Sequence, residues 1–484
     1  MSVLNTHAGE LAGRFGAVED PPPAAPTTST TAEPESNSLL TLGFNLYLLF
    51  IVSWFLQSGR RYSILGSIRF DLLLVLAISV LCVLSPKRKM FSTTSLSTRT
   101  YVFILIVYAV VTIPFVEWPG SVLKAGIQDF IKAAMFCIFT ATLVRTERDL
   151  GKFLFVFVGC QAFRVLEPLY LHITQGYWGS FATMGNWEAF DRLAGAPADI
   201  VNPNGLAFVI VTTLAFAHFL SPVAKVFQLA YLGFLPLALY ALALTGSRTG
   251  FVALVIVVGV IWWKSQRKVM MAAIIIATVV VAVPLMSDTL TDRYLSLFES
   301  NTKNSATTQL RKDDVMAGLA VAMRRPFFGY GLGTSGEANA NFGTNERPVH
   351  LLYLEVVQEL GFIGLPIFLA FMTTLTMELS RTRAKCRQVG ATGLVPRAGE
   401  ALHTFLCMNL VFSLASYGLN SYEWYLMAGL ATVLAQLAHE LPQNGATTMA
   451  PSLTAVQPVT AHLPPRRPAL VQPRPVFRHI GTRK

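Results

Sequence analysis

Residues 226–263 read VFQLAYLGFLPLALYALALTGSRTGFVALVIVVGVIWW, which is two apolar runs joined by a short polar turn. Both runs are predicted to be membrane-crossing helices, although the second is short for a hydrocarbon core of about 30 Å. The turn contains Arg248, whose guanidinium keeps its charge in a protein. A permanent cation at a membrane edge is costly unless it meets water or an anion. Arg248 is therefore a candidate functional residue, with helix capping or contact with lipid phosphates as the alternatives.

The composition extends this apolar pattern over the whole chain. Of its 484 residues, 53% are hydrophobic and 13% are charged, and the mean hydropathy is +0.51. Such a chain has too little polar surface for a soluble globule of this length. We predict an all-α polytopic membrane protein with about twelve transmembrane helices and a large external loop that contains a short amphipathic helix. The predicted spans lie near 39–57, 69–84, 101–117, 127–144, 153–173, 203–220, 226–245, 251–263, 269–286, 351–377, 401–418 and 423–438.

Basic residues are distributed unevenly between the two sides of these spans. Clusters such as Lys87-Arg88-Lys89 and the basic residues of 381–397 fall on one side, and the short loops of the other side contain few cations. The positive-inside rule then predicts that both termini are cytoplasmic. The formal net charge of +11 is accordingly a topology signal, and the apolar composition argues against a nucleic-acid partner.

The chain divides into three predicted parts. Residues 1–38 and 439–484 are rich in Pro, Thr, Ala or Arg without helical periodicity, which predicts disordered cytoplasmic tails, the second of them basic. Residues 39–438 form the predicted transmembrane domain. Its external loops are predicted at about 174–202 and 287–349, and long loops in a compact protein are usually functional or disordered.

The second external loop has a recognisable local pattern. Apolar residues at helical spacing predict an amphipathic helix over 308–324. Pro326 is expected to end this helix, and Gly329, Gly331 and Gly333 supply positive-φ positions for a tight chain reversal. A short helix followed by such a turn can cover a cavity that opens between spans.

Metal and disulfide chemistry find little support in the sequence. Cysteines occur only at five positions in predicted spans or a cytoplasmic loop, without the spacing of a disulfide framework or a zinc site: Cys82, Cys137, Cys160, Cys386 and Cys407. The external segments contain no paired Asp-x-Asp or Glu-x-x-His pattern. We therefore expect neither a metal ion nor a cofactor.

An ordered set of short motifs occupies the external segments and the spans next to them. In chain order they are Asp191-Arg192-Leu193-Ala194-Gly195, Asn202-Pro203-Asn204, Thr245-Gly246-Ser247-Arg248-Thr249-Gly250, Arg311, Pro326-Phe327-Phe328-Gly329-Tyr330-Gly331, and His350 followed by Tyr353, Leu354 and Gly361-Phe362-Ile363-Gly364. Each motif is degenerate by itself. Their order, and their placement relative to the spans, resembles the O-antigen ligase and O-antigen polymerase superfamily over roughly 190–375.

The resemblance implies an inverting, metal-independent glycosyltransferase in the bacterial cytoplasmic (inner) membrane, with its active site at the periplasmic or outer face. Its donor would be a glycan on undecaprenyl diphosphate, and its acceptor a hydroxyl of a lipid A core sugar, another glycan or a protein. Membrane lipids would surround it. A ligase of lipopolysaccharide type is the first reading, and a polymerase of O-antigen or exopolysaccharide repeats is the alternative. A transporter or flippase for lipid-linked glycan is a second alternative, although the long loop at 287–349 has no counterpart in the first half of the chain.

The resemblance also assigns roles to particular residues. Arg192, Arg248 and Arg311 are the candidates for binding the diphosphate, because a planar guanidinium binds phosphate oxygens bidentately. His350 is the candidate catalytic base beside Arg248, because an unperturbed imidazole pKa of about 6.5 suits proton transfer at neutral pH. Glu355 and Glu359 would orient that base or bind acceptor hydroxyls.

Each of these residues also has a structural alternative. His350 would be an ordinary histidine at a helix end, Arg192 a loop cation paired with Asp191 or Glu188, and Arg311 a solvated helix residue. Arg164, inside a span, is expected to pair with Glu167 or to extend the cationic path toward the diphosphate.

Overall fold

The structure is a computed structural model that describes residues 37–85, 97–183, 189–273, 276, 305–343, 348–416 and 418–441. The described α-helices are α1 Asn37–Leu56, α2 Ser58–Arg61, α3 Ser63–Ser67, α4 Phe70–Leu84, α5 Thr98–Val111, α6 Pro119–Ser121, α7 Ile127–Leu143, α8 Glu147–Gln175, α9 Pro203–Leu220, α10 Lys225–Thr245, α11 Arg248–Lys264, α12 Ser305–Ala322, α13 Ser335–Phe342, α14 Leu352–Gln388, α15 Leu394–Phe412 and α16 Tyr422–Glu440. Most of the predicted tails, most of the predicted span 269–286, and parts of the predicted loops 174–202 and 287–349 lie outside the described residues.

Helices occupy nearly all of the predicted spans within the described residues, so the all-α prediction is confirmed. Pro203–Leu220, for example, matches the predicted span 203–220. Five of the described helices are long and apolar enough to cross a membrane: Ser38–Leu56, Glu147–Gln175, Pro203–Val223, Lys225–Thr245 and Leu352–Gln388. The total of about twelve spans stays a prediction.

The outer surface of these helices is apolar. On α10 the side chains of Val226, Leu229 and Leu232 are exposed, and on α4 those of Val80 and Val83 are exposed. Monomeric soluble proteins rarely expose contiguous apolar surface of this kind, whereas lipid chains solvate it. The chain is therefore a polytopic membrane protein.

Inside the bundle, small residues let neighbouring helices approach closely. A side chain on Gly429 of α16 would meet Thr140 and the Cys137 carbonyl of α7. The Tyr47 hydroxyl of α1 lies 2.7 Å from the Thr140 hydroxyl of α7. Within lipid, the hydrophobic effect does not drive helices together. Close backbone contacts and buried hydroxyl pairs of this type hold them together instead.

A small β-hairpin, which the sequence pattern did not predict, interrupts the helices. Strands β1 Gly179–Thr183 and β2 Ala189–Leu193 pair antiparallel, with Ser180 opposite Arg192. The Tyr177 hydroxyl donates to the Gly195 carbonyl at 2.7 Å and closes the base of the hairpin. The hairpin thereby fixes the backbone position of Arg192 beside the start of α9.

The long helix α14 is broken at Gly361, whose φ of 72° and ψ of −179° are not helical. A break leaves the carbonyls before it without helical donors, and buried carbonyls need a partner. The Tyr330 amide donates to the Gln358 carbonyl at 2.8 Å, and the Gly331 amide donates to the Glu359 carbonyl at 3.1 Å. The glycine-rich turn therefore supplies the hydrogen-bond donors that the broken helix lacks.

The predicted geometry of this turn is confirmed. Helix α12 ends at Ala322, ahead of Pro326, and Gly329, Gly331 and Gly333 all have positive φ. The predicted amphipathic helix 308–324 corresponds to α12, which packs against α14. The turn is thus a packing element of the fold as well as a chain reversal.

Replacing Gly361 with alanine should destabilise the protein. A β-carbon at this position would collide with the Phe327 carbonyl, and a positive φ strains any residue that has a side chain. We expect a loss of about 1–3 kcal/mol, seen as a lower melting temperature in detergent. Gly259→Ala is the matched control, because a β-carbon on Gly259 in α11 would meet open space. Equal melting temperatures for the two variants would contradict this account of the break.

Candidate functional site

Asn204, in the first turn of α9, links two of the predicted motifs. Its Oδ1 atom accepts hydrogen bonds from Arg192 Nη2 and from Ser247 Oγ, each at 2.9 Å. Asn202 caps the same helix, because its side chain accepts from the Gly205 amide at 2.8 Å. The hairpin, the start of α9 and the 245–250 turn therefore meet at one side chain.

Arg192 is buried at this junction. Besides its contact with Asn204, its Nε donates to the Thr245 carbonyl at 2.7 Å. A cation is favourable there, because the last carbonyls of a helix carry partial negative charge. Arg192 thus joins the hairpin to the end of α10 and places its charge at the turn that contains Arg248.

The 245–250 turn converts the end of α10 into the start of α11. Gly246 has a φ of 54°, which lets the chain reverse after Thr245. Ser247 is the N-cap of α11 and accepts from the Gly250 amide at 3.1 Å. Arg248 is the first residue of α11 and is half-buried, so a guanidinium and the positive end of a helix occupy the same place.

Removing the oxygen of Asn204 should destabilise this junction. Asn204→Leu leaves the Arg192 Nη2 and Ser247 Oγ donors without their common acceptor. We expect a cost of about 1–3 kcal/mol, measured as a lower melting temperature. Asn204→Asp keeps an acceptor for both donors and should melt near the wild-type temperature. A leucine variant as stable as the wild type would show that the junction contributes little.

A cavity of about 350 Å³ opens beside this junction. Its wall includes His350, Asn204 and Thr249, which come from three of the predicted motifs. His350 lies just before α14, and the Leu352 amide donates to the Ser413 carbonyl at 3.0 Å, which fixes this segment against the end of α15. The wall also includes Arg164, Asn409, Ser413, Ser416, Ser421, Tyr422 and Glu423.

The structure therefore brings three predicted residues to one end of the bundle. His350 lines the cavity directly, Arg192 binds the cavity residue Asn204, and Arg248 lies between Ser247, which also binds Asn204, and Thr249, which lines the cavity. Arg311 is in helix α12, but its side chain lies outside the described residues.

Glu355 and Glu359 make structural contacts. Both are buried in α14. Glu355 Oε2 accepts from the Gly418 and Leu419 amides at 2.7 and 3.1 Å. Glu359 Oε2 accepts from the Gly333 amide at 2.7 Å, in the glycine-rich turn. The two carboxylates hold the loops on either side of the broken helix, and the Glu355 loop contributes residues to the cavity wall.

The prediction that Arg164 pairs with Glu167 is wrong. The buried Arg164 donates to both carboxylate oxygens of Asp199, at 2.7 and 3.1 Å, and Glu167 pairs with Arg61 instead. The external loop returns along α8 and brings Asp199 to Arg164, a fold-dependent contact that helix spacing does not reveal. The guanidinium, neutralised by Asp199, forms part of the cavity wall.

Sequence reasoning also missed several cavity residues. Asn204 belongs to a quoted motif, but it was given no role, while Asn409 and Glu423 lie within predicted spans and were not considered. The available signal was a polar side chain in an apolar run, which is costly in a membrane unless it has a function or a partner. Across the described residues, no group of three or more His, Cys, Asp or Glu side chains is placed to hold a metal ion.

One comparison with known proteins bears on these residues. Residues 233–369 match the family model described as O-Antigen ligase, a stretch that contains Arg248, the glycine-rich turn and His350. No curated protein matches the chain significantly. Residues 233–369 are therefore similar to the O-antigen ligase family of membrane proteins.

Proposed function

We propose that this membrane enzyme is an inverting glycosyltransferase that moves a glycan from undecaprenyl diphosphate to an acceptor hydroxyl inside the cavity. The match of residues 233–369 to the O-Antigen ligase model supports an enzyme of O-antigen ligase or polymerase type. The observation that carries the proposal is that the Arg192 and Arg248 motifs meet at Asn204, which lines the same cavity as His350.

The diphosphate would bind at the start of α11. Cleavage of the glycosidic bond leaves additional negative charge on the departing diphosphate. A guanidinium and a helix N-terminus held in place before the reaction stabilise that charge more in the transition state than in the ground state. Arg248 would contact the diphosphate, and Arg192 would add charge while it positions the turn through Thr245 and Asn204.

His350 would act on the acceptor. Its imidazole takes the proton of the acceptor hydroxyl as the acceptor oxygen forms a bond to the anomeric carbon. The bond between that carbon and the diphosphate oxygen breaks, and its electron pair leaves with the diphosphate. A single displacement of this kind inverts the anomeric carbon. The proton on His350 can then pass to solvent or to the leaving diphosphate, so this step requires no metal ion or redox partner.

The distribution of charge supports an outward-facing cavity. Lys225 begins α10 and Lys264 ends α11, whereas Arg248 lies in the turn that joins the other ends of these helices. The positive-inside rule assigns the lysine ends to the cytoplasm. We therefore place the cavity at the periplasmic or outer face of the inner membrane, with both termini cytoplasmic.

The proposal is tested with purified protein in liposomes that contain undecaprenyl diphosphate-linked glycan and an acceptor. The expected products are free undecaprenyl diphosphate and a glycan with a new covalent attachment. Movement of intact lipid-linked glycan across the bilayer, without any change in attachment, would favour the transporter alternative and overturn the proposal.

A deletion strain separates ligase from polymerase. Loss of a ligase should leave bare acceptor and an accumulated carrier-linked polymer. Loss of a polymerase should leave single repeats on the acceptor. We propose the ligase, because the model that residues 233–369 match is described as O-Antigen ligase.

A further inference from the structure

Two polar atoms in the cavity wall have no hydrogen-bond partner among the described residues. They are Asn409 Nδ2, near the end of α15, and Glu423 Oε2, near the start of α16, where the Glu423 carboxyl group also hydrogen-bonds to the Ser421 and Tyr422 side chains. Asn409 is only 6% exposed, and both atoms are buried. Buried polar atoms are nearly always satisfied, so an unpaired pair that lines a cavity points to a ligand or to ordered water.

The chemistry of the two atoms is complementary. The amide nitrogen of Asn409 only donates hydrogen bonds, and the carboxyl oxygen of Glu423 can accept them. A sugar hydroxyl does both, and neighbouring hydroxyls on one ring offer several such groups. Ser413, Ser416 and Ser421 add further polar side chains to the same part of the wall.

This polar wall is adjacent to the candidate base. Asn409 precedes Ser413 by one helical turn, and the Ser413 carbonyl accepts the amide of Leu352, two residues after His350. Elsewhere in the wall lie Thr249, which follows Arg248 in the chain, and Asn204, which binds Arg192. A sugar ring held by Asn409 and Glu423 would therefore lie close to His350, which is proposed to take the proton of the acceptor hydroxyl.

We propose that Asn409 and Glu423 form a subsite that binds the hydroxyls of an acceptor sugar, so that the acceptor is a glycan and not a protein side chain. This inference rests on the proposed function. Both residues are specificity determinants, and the reaction itself remains with Arg248 and His350.

The first test measures binding without turnover. Saturation-transfer NMR with the purified full chain uses methyl glucoside, methyl galactoside and methyl mannoside as probes, and acetyl-Ala-Ser-Ala-amide as a protein-type probe. At least one glycoside should give a signal that is lost in Asn409→Leu and in Glu423→Gln. No glycoside signal with the wild type, or signals unchanged in both variants, would overturn the subsite.

Gln436 provides a matched control. It lies on α16 like Glu423, is 3% exposed, and has two side-chain atoms without a described partner, yet it does not belong to the cavity wall. Gln436→Leu should retain the glycoside signal. Loss of the signal in this variant as well would show that any change of a buried polar group has the same effect, and it would contradict a specific subsite.

The second test uses transfer kinetics. Asn409→Leu and Glu423→Gln should each raise the KM for the glycoside acceptor about tenfold, with the KM for lipid-linked donor nearly unchanged. An unchanged donor KM also shows that each variant is folded. If the wild type transfers glycan but both variants keep the wild-type acceptor KM, the subsite is wrong and the proposed function stands. If the wild type binds glycoside but transfers nothing, the proposed function fails instead.

Discussion

Arg248→Ala should lower the transfer rate by about 10²–10³-fold, because fixed charges aimed at a developing anion typically contribute that much. The guanidinium lies in the first turn of α11, where Ser247 caps the helix and bonds to Asn204. Alanine keeps the helix and removes the charge. The measurement is release of undecaprenyl diphosphate by purified enzyme, together with a melting curve to establish that the variant is folded.

Two further arginine variants sharpen this test. Arg248→Lys should recover little activity, because one ammonium cannot reproduce the two parallel contacts of a guanidinium with phosphate oxygens. Arg60→Ala is the matched control, because Arg60 is an exposed arginine in the short helix α2. It should be as active as the wild type. A fully active Arg248→Ala enzyme would remove the diphosphate site from the start of α11.

Most of the helical architecture could be predicted, because a membrane imposes length and apolarity on each segment that crosses it. The sequence pattern predicts α9 and the glycine-rich turn correctly, because each depends on residues close together in the chain. Asn202 and Pro203 start a helix, and glycines allow positive φ. These features depend on residues that are neighbours in the chain.

The rest of the site depends on contacts between residues that are distant in the chain. Asp199 is 35 positions from Arg164, and no helical spacing indicates that they pair. The carboxylate of Glu355 binds the amides of a loop 63 positions away, and only the three-dimensional fold brings these groups together. Charged residues in the spans were recognisable as costly, but their partners were not.

The structure also shows that three short motifs meet at Asn204. Arg192, Ser247 and Asn204 appear in the sequence as separate short patterns, and the structure joins them through two hydrogen bonds to one amide oxygen. A shared acceptor couples the positions of the hairpin and the turn. A substitution that displaces the hairpin should therefore also change the position of Arg248, although the two lie on different elements.

His350→Ala should lower the rate by about 10²–10⁴-fold, the range expected for loss of a positioned general base. His350 lines the cavity, and its place just before α14 is fixed by the hydrogen bond from Leu352 to Ser413. The alanine variant should still bind the lipid-linked donor, because the proposed diphosphate contacts lie at the start of α11. Donor KM and maximal rate are therefore measured separately, and only the rate should fall.

The pH dependence separates a base from a structural histidine. The wild-type rate should rise with pH as the imidazole of His350 loses its proton, and this rise should disappear in His350→Ala. His172→Ala is the matched control, since His172 lies near the end of α8, where its Nδ1 is 3.0 Å from the Tyr177 carbonyl. It should keep the wild-type pH profile. If His350→Ala instead keeps the profile and loses only stability, the imidazole is a packing group, and proton removal must be assigned to another residue in the cavity.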